Sequence, residues 1–150
     1  MSTQKPVRGD DMQLGLLLRL PYLAIERRVA ERLAEKGFGD FRPAHNQVLQ
    51  HLPPNGTRLS ELASAANITK QSMMQLVDVL ERSGYLTRRS DPTDGRAQLI
   101  LPTARAKAVY RIVHEAIGQV EREWEKKLGT KRLASLRADL RSLCETLEAG

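Results

Sequence analysis

Cysteine is almost missing from this chain: its 150 residues hold one, Cys144, so no disulfide forms within it. Aromatic residues make up only 4%, which argues against a protein that stacks single-stranded bases on rings. No apolar run approaches the roughly 20 residues of a membrane span. The N-terminus also lacks the apolar core of a signal peptide, so the expected location is the cytoplasm. The three histidines, His45, His51 and His114, are scattered, with no cysteine nearby and no His-Glu-x-x-His run. A metal site is not expected. Phosphate-cradling glycine loops and nucleophile elbows are absent too, so neither a cofactor nor an enzyme is expected.

What the chain does have is charge and a usable core. A net charge of +6 fits a polyanionic partner, and 41% hydrophobic residues suffice for a globular fold. The length fits one domain, or one domain with an oligomerisation layer.

The stretch from Arg58 to Pro102 carries the chemistry. Leu59, Leu62, Ala63 and Ala66 fall on one face of a short helix. Asn67-Ile68 forms the turn, because Asn is among the few non-glycine residues that accept a left-handed backbone. Thr69 caps a second helix that runs from Lys70 to Ser83 and stops at Gly84. Its inner face is Met73, Leu76, Val77 and Leu80, while Lys70, Gln71, Ser72 and Gln75 face outward. Base, amide and hydroxyl groups in exposed first turns suit a DNA major groove, whose edges are read by such donors and acceptors. Met74 faces either thymine methyls or solvent.

A ribbon follows. Tyr85 to Arg89 reads as a strand, Ser90 to Gly95 as a run of turn formers, and Arg96 to Leu101 as the returning strand. Pro102-Thr103 ends it and caps the next helix. Arg88, Arg89 and Arg96 place positive charge beside the helix for phosphate or minor-groove contact. Asp94 is expected to hold Arg96 by a charge-assisted pair, supporting this wing.

These residues resemble a known family. Glu61-Leu62-Ala63, the Ile68-Thr69 turn, Leu80 to Leu86 and the Asp91-Pro92-Thr93-Asp94-Gly95-Arg96 wing look like the winged-helix core of multiple-antibiotic-resistance regulators, the MarR family. The chain departs from that pattern at Gly95, where the family usually has Arg. The resemblance implies a dimeric DNA-binding regulator with a cavity, between dimer layer and winged core, for small anionic aromatic ligands. His45 and Arg19 are the ligand-binding candidates, His45 because its helix borders that cavity in the family. Peroxide sensors of the family use a cysteine near the N-terminus, and this chain has none there.

The flanks fit a dimer. From a cap at Asp10 or Asp11, Leu14, Leu18, Tyr22, Ile25, Val29 and Leu33 recur at helical spacing, with Pro21 placed to bend the helix. Arg42-Pro43 opens a second helix, halted at Pro53-Pro54-Asn55-Gly56. After the wing, a long helix breaks at Gly129-Thr130. Leu133, Leu136, Leu140, Leu143 and Leu147 then form a heptad-like seam, with Cys144 expected as a small buried or half-buried residue beside it. These stripes either cover one another within the monomer or pack against a second subunit. Two-fold DNA readers need recognition helices one duplex turn apart, about 34 Å, and a helical dimer layer supplies that separation. The interleaved arrangement is what the family resemblance implies.

The expected fold is thus mainly α with a small β wing. Residues 1–150 form a single domain, with a winged helix-turn-helix core at 43–102 and dimerisation helices at 11–36 and 103–149. The expected function is sequence-specific binding of double-stranded DNA, as a homodimeric repressor on a palindromic operator, with a possible small-molecule effector and no membrane partner. The DNA contacts expected are Thr69, Lys70, Gln71, Ser72, Gln75, Arg88, Arg89 and Arg96. The alternative is a winged-helix protein-interaction module without specific DNA binding.

Overall fold

Local signals set most of the chain's punctuation. In the computed structural model, which describes residues 12–148, helix α1 (Leu14–Glu35) runs through Pro21 without interruption. The cap expected at Asp10 or Asp11 lies outside the described residues. Helix α2 (Pro43–Leu49) starts with proline at its first position, where a missing N–H costs nothing. Strand β1 (Thr57–Arg58) leads into α3 (Leu59–Ala65), whose first turn is closed by the Glu61 carboxylate accepting from the Arg58 N–H at 3.3 Å. Asn67 takes φ 53°, as its turn requires. Helix α4 (Lys70–Arg82) then begins under the Thr69 cap, whose hydroxyl accepts from the Ser72 N–H at 3.1 Å.

Strands β2 (Leu86–Asp91) and β3 (Asp94–Pro102) form the hairpin, followed by α5 (Ala104–Leu128) and α6 (Thr130–Glu148). The sheet order is β1-β3-β2, all antiparallel. Leu86 faces Pro102 and the register holds to Ser90 opposite Gln98, then slips so that Asp91 faces Asp94. Two features differ from the sequence expectation. The hairpin connection is Pro92-Thr93 rather than Ser90 to Gly95, because the Asp91 carboxylate accepts from both the N–H and the hydroxyl of Thr93, at 2.9 and 2.7 Å. A third strand, β1, also completes the sheet, and at two residues it is too short to show a period in sequence.

One hydrophobic core joins α1 through α5. Met73, Val77 and Leu80 of α4 are fully buried beside Leu62 of α3 and Val48 of α2. The same cluster takes in Leu33 of α1 and Ala106 and Val109 of α5, so the winged core is continuous with its flanking helices. Thr103 ties the start of α5 to the end of α4: its hydroxyl donates to the carbonyls of Gly84 and Tyr85, at 2.6 and 3.0 Å, and accepts from the Ala106 N–H.

The terminal helices are different. Helix α6 has no buried residue, and Leu136, Leu143 and Leu147 stay exposed. On α1 the stripe is buried only at its end: Leu14, Leu18 and Tyr22 are exposed and Leu33 is covered. Cys144, expected to be at least half-buried, is exposed, because its seam has no partner among the described residues.

Among the described glycines, the one in the turn before β1 has the closest neighbours. Gly56 has φ +84°, and a Cβ there would sit 2.8 Å from the Ile100 carbonyl oxygen and 2.9 Å from Leu101 Cγ. Both the left-handed conformation and the approach of β3 demand glycine. Gly56→Ala is expected to destabilise the fold by roughly 2–4 kcal/mol, read as a lower urea midpoint by far-ultraviolet circular dichroism. An unchanged midpoint would mean that this turn is free to move.

Candidate nucleic-acid interface

Helix α4 divides its surface sharply. Adjacent residues Met73 and Met74 show the division, one fully buried and the other 42% exposed. Lys70, Gln71, Ser72 and Gln75 are all exposed, so the polar groups picked out in sequence do project from the protein. Gln71, Gln75 and Asp78 form one stripe, at positions i, i+4 and i+7. The Ser72 hydroxyl accepts from the Thr69 hydroxyl at 2.8 Å, which orients both at the start of the helix.

The wing is braced from below. Arg58, just ahead of α3, donates from Nε and Nη2 to Asp91 Oδ2 at 2.9 and 2.7 Å. Asp91 thus fastens the hairpin turn to the helix-turn-helix through an arginine not singled out in sequence. Its only sequence signal is a basic residue next to a helix start, which is common. Asp94 does not form the expected pair with Arg96: it accepts from the Arg96 backbone N–H at 3.1 Å, and among the described residues no ion pair joins it to the Arg96 guanidinium. Its carboxylate lies 3.9 Å from Arg58 instead. Arg89 and Arg96 are exposed. Arg88 is not free in the same way: it is half-buried against α4, bonded to Asp78 and close to Glu81. At Gly95 a Cβ would meet nothing within 4 Å, so the wing tip has room for the larger residue usual in the family.

The two ligand candidates are placed apart. Arg19 lies on the exposed N-terminal half of α1. His45 is buried, with Nδ1 accepting from the Arg42 N–H at 3.0 Å and its ring edge-on to Phe41. Burial and the nearby Arg42 charge push its pKa down, and its ring nitrogen closes the first turn of α2. Neither residue lines the apolar cavity of about 120 Å³ between α1, α2 and α5. Its walls are Tyr22, Ile25, Val29 and Leu33 on one side and Val113 and Ile117 on another, with Arg42 and Glu26 as its charged members. The helical spacing of sequence positions could not show which side chains converge there.

Sequence reading also passed over Tyr85 and its partners. The Tyr85 hydroxyl donates to Asp40 Oδ1 at 2.6 Å, and Arg105 lies over the ring at 4.7 Å while pairing with Asp40 at 3.2 Å. Burial and the Asp40 bond push the Tyr85 pKa up to about 12. The Asp40 carboxyl is held below its ordinary range, chiefly by that same bond.

Comparison with known proteins places this geometry. The model of the MarR family matches residues 40–97, from the loop before α2 into β3. Over those residues the winged-helix core resembles that of the MarR family. The reduced form of MarR from E. coli superposes with a TM-score of 0.72 at 23% identity, covering 90% of this chain and 98% of that one. The transcriptional regulator Tm0710 from Thermotoga maritima gives 0.63 at 26% identity, over 90% of this chain and 94% of that one. A mutant MepR from S. aureus, bound to an oligodeoxyribonucleotide, gives 0.62 at 18% identity, over 91% and 99%. The flanking helices therefore follow the MarR fold as well.

Within this MarR-type wing, Asp91 sets an acid limit. Its pKa is pushed down to about 2, first by the Thr93 N–H and hydroxyl and then by Arg58. A depressed carboxylate stabilises the fold fully above its unfolded pKa, roughly 3.9, and that contribution fades as pH falls toward 2. Asp91→Asn should lower the melting temperature at pH 7, with the difference from the parent shrinking between about pH 4 and pH 2. Parallel melting curves across that window would show that the Asp91 charge is not linked to folding.

Proposed function

We propose that this chain is a homodimeric transcriptional repressor that binds a palindromic operator in double-stranded DNA. The observation that carries the reading is the division of α4: an inner face in the core, and an outer start bearing Lys70, Gln71, Ser72 and Gln75. Gln71 and Gln75 suit adenine and Lys70 suits guanine in a major groove. Thr69, Arg89 and Arg96 take phosphates or the adjoining minor groove. Arg88 leaves that set, since its guanidinium is already engaged by α4. The oligodeoxyribonucleotide bound by the MepR mutant supports the same use of the fold here.

The homodimer accounts for the leucines that α1 and α6 leave exposed within one chain. Operator release is assigned to a small aromatic anion entering the apolar cavity, with Arg42 as the cation at its edge. Such a ligand must bind the two spacings of the reading helices unequally. None of the described helices is long and apolar enough to cross a membrane, in keeping with a cytoplasmic site of action.

Selection of purified protein on random duplexes at about 150 mM salt tests the reading. Enrichment of a palindrome with half-sites roughly one duplex turn apart is expected. A lone half-site would remove the symmetric dimer. No enrichment from folded protein would remove specific recognition and favour a protein-interaction module.

A further inference from the structure

Resting on that DNA-binding reading, we propose that Arg88 is a positioning residue for DNA recognition, acting on α4 through Asp78 and Glu81 and not on a phosphate. The geometry is specific. Arg88 stands on β2 opposite Ile100, with Leu86 buried two residues before it. Its Nη2 donates to Asp78 Oδ1, and its Nε, shut away from solvent, lies 2.8 Å from Glu81 Oε2 outside hydrogen-bond alignment. One guanidinium therefore bridges two carboxylates one helical turn apart on α4. The Arg88 side chain is 27% exposed, less than either partner.

Two consequences follow for binding. Asp78 continues the Gln71–Gln75 stripe, so its negative charge lies on the face offered to DNA. A bare carboxylate there opposes the approach of phosphates, and pairing with Arg88 masks it. The same bridge fastens the wing to the later turns of α4, so the strand carrying Arg89 and the helix carrying Gln71 and Gln75 approach the duplex at one fixed angle. Lysine would not reproduce this, because a single ammonium lacks the planar fork that meets two carboxylates at once. The salt bridges are half-exposed, so their value to stability is small. Their value is in orientation and charge masking.

A double-mutant cycle on the selected duplex, read by fluorescence anisotropy, separates these roles. Arg88→Gln should weaken binding about tenfold. Adding Asp78→Asn and Glu81→Gln should recover the part of that loss that comes from unmasked charge and leave the part that comes from lost orientation, a gain several times larger than the same pair produces with Arg88 present. Thermal melts run on each variant confirm that folded protein is compared. If Arg88→Gln fails to fold, Arg88→Lys replaces it: weaker binding than the parent, relieved by Glu81→Gln, is expected.

Equal gains in both backgrounds, or full affinity in Arg88→Lys, would overturn the proposal and return Arg88 to the phosphate contacts. A parent protein with no specific binding would instead remove the DNA-binding reading, and this proposal with it. Loss of coupling while the parent still binds removes only the role of Arg88.

Discussion

The fully buried Tyr85 ring stands where the layers of the molecule meet. It follows Gly84, which ends α4, and precedes β2, so its position fixes both α4 and the wing. Phe41 meets the ring edge-on at 5.3 Å, and Arg105 of α5 lies over the ring while also lying 5.1 Å over Phe38. Its hydroxyl would be costly to bury alone; the bond to Asp40 removes that cost, and bonds to charged groups contribute about 1.5–3 kcal/mol. Asp40, Tyr85 and Arg105 come from three separate parts of the chain. Around this knot the core orders itself.

With that junction fixed, α4 has one orientation available. Met73, Val77 and Leu80 enter the core, and helical geometry then turns Gln71 and Gln75 outward. The wing is held by different means, with Arg58 and Asp91 at its turn and Arg88 at its base. The apolar cavity lies close by, since Phe41 both lines it and packs on Tyr85. A ligand that displaced Phe41 would therefore press on the junction that orients α4. That is a short physical path from cavity to α4.

The local elements were legible in sequence because each has a local cause. Asn67, Thr69, Gly84 and Thr103 announce turns and caps by their own chemistry, and the inner face of α4 follows from spacing alone. The unread features depend on residues far apart. Asp40 and Tyr85 are 45 positions apart and Arg58 and Asp91 are 33, and no periodicity connects such pairs. Arg88 and Arg96 look alike in sequence as basic residues on a wing. Only the fold distinguishes the one clasped by two carboxylates from the one left exposed. His45 reads in sequence only as a ligand candidate, and the fold adds that its Nδ1 caps α2. The exposed leucines of α1 and α6 were readable as stripes, and they remain stripes in search of a surface within the single chain.

The central claim is that the first turns of α4 read base edges in the major groove. The direct test replaces purines in the selected site, one at a time, by 7-deaza analogues, which remove the N7 acceptor and leave the Watson–Crick pairing intact. The account predicts affinity losses of about tenfold at purines clustered in two patches roughly one turn apart, with little effect between them. Uniform tolerance of the analogues across the whole site would contradict it, and would move recognition to the wing, to DNA shape, or to charge alone.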